Sequence, residues 1–121
     1  MLTCLPMKIS GPIVRGNGLA TRLFSLPTAN LQLSQPHVLE PGVYAAKVSF
    51  GGREYQAAAY VSPLQPKMIE VHLFGFSGDL YGQELEVQVI EKTSPHVDGR
   101  SEEEMKLKVA ADVKKVREYF S

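Results

Sequence analysis

The sequence predicts a mainly β protein: a small closed barrel of antiparallel strands with a helix packed against it. Three observations point there. Apolar residues alternate along several short runs that are separated by turn signals. Two of those runs meet at Gly51-Gly52, a hairpin signal because the favoured turns need positive φ. Beyond Ser101 the apolar residues stop alternating and recur at helical spacing.

Taken in order, residues 1–8 read as an N-terminal tail, and Gly11 to Gly18 as a glycine-spaced arch. Thr28 and Asn30, two apart, share a face if that segment is extended. The run Val43 to Phe50 has Val43, Ala45, Val48 and Phe50 as its expected anchors. After the hairpin, Tyr55, Ala57, Ala59 and Val61 line one face of the next run. Pro63 and Pro66 make Ser62 to Lys67 a loop. Met68 to Phe74 is β-rich again, and Phe76 to Gly82 reads as a turn. Leu85, Val87 and Val89 then alternate with Glu84, Glu86 and Gln88. Residues 92–100 lack any period and read as a mobile loop. Ser101 and Glu104 form a capping box for a helix over 101–120, with Met105, Val109, Val113, Val116 and Phe120 as its apolar stripe.

Composition narrows the function. The 121 residues fit one domain, 1–121, with a single core. Lys plus Arg and Asp plus Glu both number 13, so no net field argues for nucleic acid or an anionic membrane. The single cysteine, Cys4, cannot form an internal disulfide, which favours a reducing compartment. No apolar run approaches a membrane span or a signal peptide. A cytoplasmic monomer is the expectation. His37, His72 and His96 have no partners at zinc-ligand spacing.

The chemistry-bearing residues fall in two blocks. In Pro27-Thr28-Ala29-Asn30, behind the glycine run, a hydroxyl and a carboxamide offer the hard oxygens that Mg²⁺ prefers. Backbone amides of a glycine arch approach phosphates closely because no Cβ intervenes. An ordinary turn leading into a strand explains the same residues. In Glu70-Val71-His72, Glu70 interrupts an apolar run and shares its parity with Met68 and His72. A carboxylate there faces either solvent or a site, and solvent is the commoner fate.

In their order, these blocks resemble the riboflavin kinase family. The chain offers a glycine arch, Pro27 to Asn30, Gly42-Val43-Tyr44, Glu70-Val71-His72, Asp79 to Gly82, and a terminal helix. The resemblance implies a six-stranded barrel with a C-terminal helix. It further implies ATP-dependent phosphorylation of riboflavin to FMN, with riboflavin and ATP as small-molecule partners and Mg²⁺ as cofactor. It assigns Glu70 as the group that activates the acceptor hydroxyl, and Thr28 and Asn30 as metal ligands. Gly16, Gly18, Arg22, Thr28 and Tyr81 fall on nucleotide-binding positions. With no room for an adenylyltransferase domain, the expected product is FMN alone. The family's flavin-enclosing positions fall here on Thr93, Ser94, His96 and Gly99. Lys92 and Arg100 are the candidates to replace those flavin contacts. That departure keeps two alternatives: a catalytically impaired flavin- or nucleotide-binding barrel acting as a sensor or interaction module, and a kinase of this fold for another small alcohol.

Overall fold

Six strands and one helix form the structure, a computed structural model that describes residues 5–14, 28–76, 78–97 and 101–121. The strands are β1 (Met7–Val14), β2 (Ala29–Gln32), β3 (Gly42–Phe50), β4 (Arg53–Val61), β5 (Met68–Leu73) and β6 (Glu84–Pro95); the helix is α1 (Glu102–Phe120). All pairings are antiparallel, and the order β1-β2-β5-β4-β3-β6 closes on itself. Closure leaves no unpaired sheet edge. No helix among the described residues is long and apolar enough to cross a membrane.

The alternation reads out as the barrel's inside. Leu31, Ala57, Ala59, Val61, Ile69, Val71, Leu85, Val87 and Val89 fill the interior. Leu33 and Leu39, from the loop that leaves β2, are buried in the same core. Phe76 joins the core from the turn after β5, its ring edge-on to both Phe50 and Tyr55. Gly51 and Gly52 both take positive φ, 61° and 75°, as the tight β3–β4 hairpin requires.

The outer wall has its own apolar patch. Ala45 and Ala58 face each other across β3 and β4, and both are buried along with Val43. Their short side chains give a low surface on which α1 lies, with Val116 buried against it and Phe74 and Phe120 at its margin. Arg117 stacks over the Phe74 ring at 4.2 Å. The capping box is present: Ser101 Oγ accepts from the Glu104 amide at 3.2 Å, and Glu104 Oε1 accepts from the Ser101 amide at 3.3 Å.

Four expectations are corrected. Residues 7 and 8 belong to β1 rather than to a tail, and Gly11 to Val14 lie in the same strand rather than in an arch. Gly11 is needed there because a Cβ would run into the Gln32 carbonyl. Strand β3 is buried on both faces at 43–46, so Val43 and Ala45 face α1 while Val48 faces the interior. Strand β6 runs to Pro95, so 92–95 are strand, not loop. Two register shifts against β3, between Val43 and Tyr44 and between Ala45 and Ala46, are the reason. Each irregularity breaks the period of two by which a strand is recognised.

The low alanine surface sets the helix's seat. Ala58→Leu is expected to lower stability by about 1–3 kcal/mol through overpacking. Ser101→Ala should cost about 1 kcal/mol through the lost cap. Urea unfolding midpoints at an unchanged m-value check both.

Candidate active site

Strand register brings the two sequence blocks together. Asn30 of β2 and Tyr60 of β4 stand directly across from Glu70 of β5, one on each side. All three side chains therefore lie on one face, the outer wall of the barrel. Thr28, two residues before Asn30, donates from Oγ1 to Glu70 Oε2 at 3.5 Å, a long contact. Thr28 and Asn30 thus flank one carboxylate. Val14 pairs with Asn30, so β1 ends and β2 begins at this same place.

Glu70 is half-buried because α1 covers part of the wall. Burial pushes its carboxyl above the ordinary range, and the Thr28 hydroxyl partly offsets the shift. The group is thereby a better proton acceptor than a surface carboxylate.

Between the wall and the N-terminal half of α1 lies a cavity of about 340 Å³. Glu70, Thr28 and Tyr60 line its barrel side, with Val43 and Val61; Met105, Lys108, Val109 and Asp112 line its helix side. Most of the surface is apolar. The polar exceptions include Thr28, Tyr60 and Glu70 on the wall and Lys108 and Asp112 on the helix, along with Ser62, Gln65 and His96. Asp112 is buried at 5% exposure and accepts from Lys108 Nζ at 2.6 Å. The Tyr60 hydroxyl is buried and has no hydrogen-bond partner among the described residues.

Not every predicted residue joins this cluster. Lys92 does not line the cavity; it pairs with Glu40 at 3.5 Å and packs over Gly42. Tyr81 is half-exposed in a turn whose neighbours Gly82 and Gln83 bond to Ile13 at the end of β1. Ser94 is buried on β6 beside Val43. His72 shares Glu70's face and meets the Phe74 ring edge-on. Gly16, Gly18, Arg22 and Arg100 lie outside the described residues.

Tyr60, Lys108 and Asp112 were missed in the sequence. Asp112 carried a signal: it falls on the apolar stripe, at the spacing of Met105, Val109 and Val116, where a charge needs a reason. Tyr60 carried a weaker one, since it shares with Ala58 a face that simple alternation assigns to solvent.

Mg²⁺ suits the donors present. Thr28 and Asn30 supply neutral oxygens beside a carboxylate, and no group of three His, Cys, Asp or Glu among the described residues converges to hold a metal by itself. A magnesium ion keeps most of its shell from water and phosphate, so two neutral protein oxygens are compatible with it.

A model of the family described as "Flavokinase: Riboflavin kinase" matches residues 3–120. A bifunctional riboflavin kinase/FMN adenylyltransferase of Buchnera aphidicola subsp. Schizaphis graminum is 32% identical, over 96% of this chain and 39% of its own length. The protein of that name in Escherichia coli K12 is 31% identical, over 95% of this chain and 38% of its own. The chain therefore spans about two-fifths of these relatives, 39% and 38% of their lengths. Among solved structures, a chain described as a macrolide-efflux protein from Streptococcus pneumoniae superposes with TM-score 0.77 at 28% identity, covering 93% of this chain and 37% of that one. Riboflavin kinase from Trypanosoma brucei superposes with TM-score 0.62 at 18% identity, covering 93% of this chain and 78% of that one, a likeness of fold. With the family model matched along nearly its whole length, the chain belongs to the riboflavin kinase family.

Proposed function

We propose that this chain transfers the terminal phosphoryl group of ATP to the primary hydroxyl of riboflavin, giving FMN and ADP. The observation that carries this reading is Glu70: a half-buried carboxylate on the barrel wall, beside Thr28 and at the edge of a largely apolar cavity. The cavity takes the flavin, with its polyol chain towards Glu70. Thr28 and Asn30 hold Mg²⁺, which when bound neutralises charge on the phosphate oxygens. Gly16, Gly18 and Arg22 fall in the sequence between Val14 and Thr28 and are assigned to the phosphates by the family resemblance. Tyr81, in the turn bonded to the end of β1, is suited to the adenine side. Every proposed contact comes from one chain, in keeping with a monomer, and the cytoplasm supplies both Mg²⁺ and ATP.

The chain's own residues then have separate tasks. The acceptor oxygen attacks the γ-phosphorus while its proton passes to Glu70, and the bond to the β-phosphate oxygen breaks to release ADP. Positioning and charge neutralisation carry most of the rate in such transfers. Lys92, engaged by Glu40, is left out of the flavin contacts, which pass to the cavity walls; Arg100 keeps its candidacy.

Incubation with riboflavin and Mg-ATP, with FMN followed by chromatography, tests the reading; absence of FMN overturns it. Glu70→Gln should lower kcat by about 10²–10⁴-fold while nucleotide affinity is retained. Near-wild-type turnover would remove Glu70 from the mechanism.

The raised carboxyl has two pH consequences. The ionised form is the active one, so kcat/KM should rise with pH through a group titrating above the ordinary carboxylate range. Stability runs the other way. Between the unfolded and folded pKa values the native state binds more protons, so Glu70's contribution is lost as pH rises through its folded pKa. Comparing urea midpoints of wild type and Glu70→Gln across that range isolates the slope.

Because both proposed ligands are neutral, Mg²⁺ should bind weakly alone and tightly with ADP or ATP. Asn30→Ala should raise the Mg²⁺ concentration for half-maximal activity, as titration at fixed ATP reads directly. Lys92→Ala should leave riboflavin affinity unchanged within twofold by fluorescence titration.

A further inference from the structure

The mechanism above leaves one buried polar group unused. Tyr60 is directly across from Glu70 in the β4–β5 register and lines the same cavity. Its hydroxyl is buried, and no described residue bonds to it. A buried hydroxyl is ordinarily satisfied, because desolvating it without a partner is costly. The residues around it explain what partner it suits. Burial pushes Tyr60 far above the ordinary phenol range, and the charges of Asp112 and Glu70 push it the same way. The phenol therefore keeps its proton and is available as a donor.

The facing helix gives a second observation. Asp112 is buried and paired with Lys108, whose Nζ lies 2.6 Å away. A lysine preceding an acid by one turn is the less favourable order for helix stability. A buried ion pair is also weak evidence of stabilisation in itself. The pair nevertheless sits at the wall of the cavity that Tyr60 and Glu70 also line. A polar cluster of this composition, in a largely apolar cavity, suits a ligand that carries neutral hydroxyls next to an apolar body.

We propose that the Tyr60 hydroxyl is a substrate contact, donating a hydrogen bond to a hydroxyl of the acceptor's polyol chain adjacent to the one that Glu70 deprotonates. This rests on the reading of the cavity as the acceptor pocket. The cross-strand pairing makes the assignment specific to the chain rather than to the ring: a hydroxyl at Glu70 is at the position nearest Tyr60, whereas Val61, Met105 and Val109 offer the apolar surface that a ring needs. Lys108 Nζ engages Asp112 Oδ2, and the Tyr60 hydroxyl makes no hydrogen bond to Asp112 or to any other described residue.

Tyr60→Phe removes one oxygen and keeps the ring's packing. Fluorescence titrations of wild type and variant with riboflavin, and with lumiflavin, which has the same ring system but no polyol chain, test the contact. The expected result is riboflavin affinity weakened by about 3–10-fold, the range of one neutral hydrogen bond. Lumiflavin and Mg-ADP affinities should change by less than twofold, and the thermal midpoint should hold or rise. Unchanged riboflavin affinity with a raised midpoint would make the hydroxyl a structural orphan and overturn the proposal. An equal loss for lumiflavin would place the contact on the ring and overturn it as well. FMN formation by the wild type separates the two levels: turnover without a chain-specific loss in the variant sinks only the Tyr60 assignment, whereas no turnover and no riboflavin binding sinks the kinase reading beneath it.

Discussion

The packing of α1 on the alanine pair Ala45 and Ala58 is the constraint on which the rest of this molecule depends. A closed barrel satisfies its own backbone and core, so its outer wall has no need of cover. Here β3 and β4 present small side chains outward, and Val116 buries itself against them. The helix thereby converts a stretch of wall into an interior. Where the contact is tight, near Val116, Phe120 and Phe74, it is a second core. Along the N-terminal half of the helix, Met105, Lys108, Val109 and Asp112 face the wall across a cavity instead.

That half-covered wall sets the electrostatics. Glu70 is neither in water nor in the barrel core, and burial raises its carboxyl without neutralising it through a cation. Thr28, which hydrogen-bonds to it, is neutral. In the proposed reaction the charge that balances Glu70 would arrive with the substrates. An internal ion pair at the cavity, Lys108–Asp112, belongs to the helix.

Rigidity is distributed accordingly. Asn30 sits in a strand bonded on both sides, Thr28 immediately precedes that strand, and Glu70 and Tyr60 are mid-sheet. Four candidate groups therefore hold fixed relative positions before any ligand binds, which is where positional precision favours catalysis. The two register shifts in the β3–β6 pairing extend β6 towards α1 and carry Ser94 to a buried place beside Val43. Thr93 and Ser94, two of the positions that the resemblance aligns with flavin contacts, therefore lie in strand β6.

Much of this was legible in the sequence. The period of two identified the inward faces of β4, β5 and the first half of β6, because each sends a regular row of apolar residues into the interior. Gly51-Gly52 marked the hairpin, and Ser101 with Glu104 marked the helix start, since both signals are local. The motif order pointed to Thr28, Asn30 and Glu70. What the sequence could not supply was anything that depends on two distant segments meeting. Gly11 and Pro12 look like punctuation, yet they are strand, because pairing with β6 outweighs local preference. The end of β6 was obscured because irregular register erases alternation. Tyr60 and Asp112 lie 52 positions apart and acquire meaning only when α1 folds onto the wall. Local periodicity determined which residues turn inward; the closure of the barrel and the seat of the helix decided which outward-facing residues become a site, because burial there is created by packing between elements and not by any one of them.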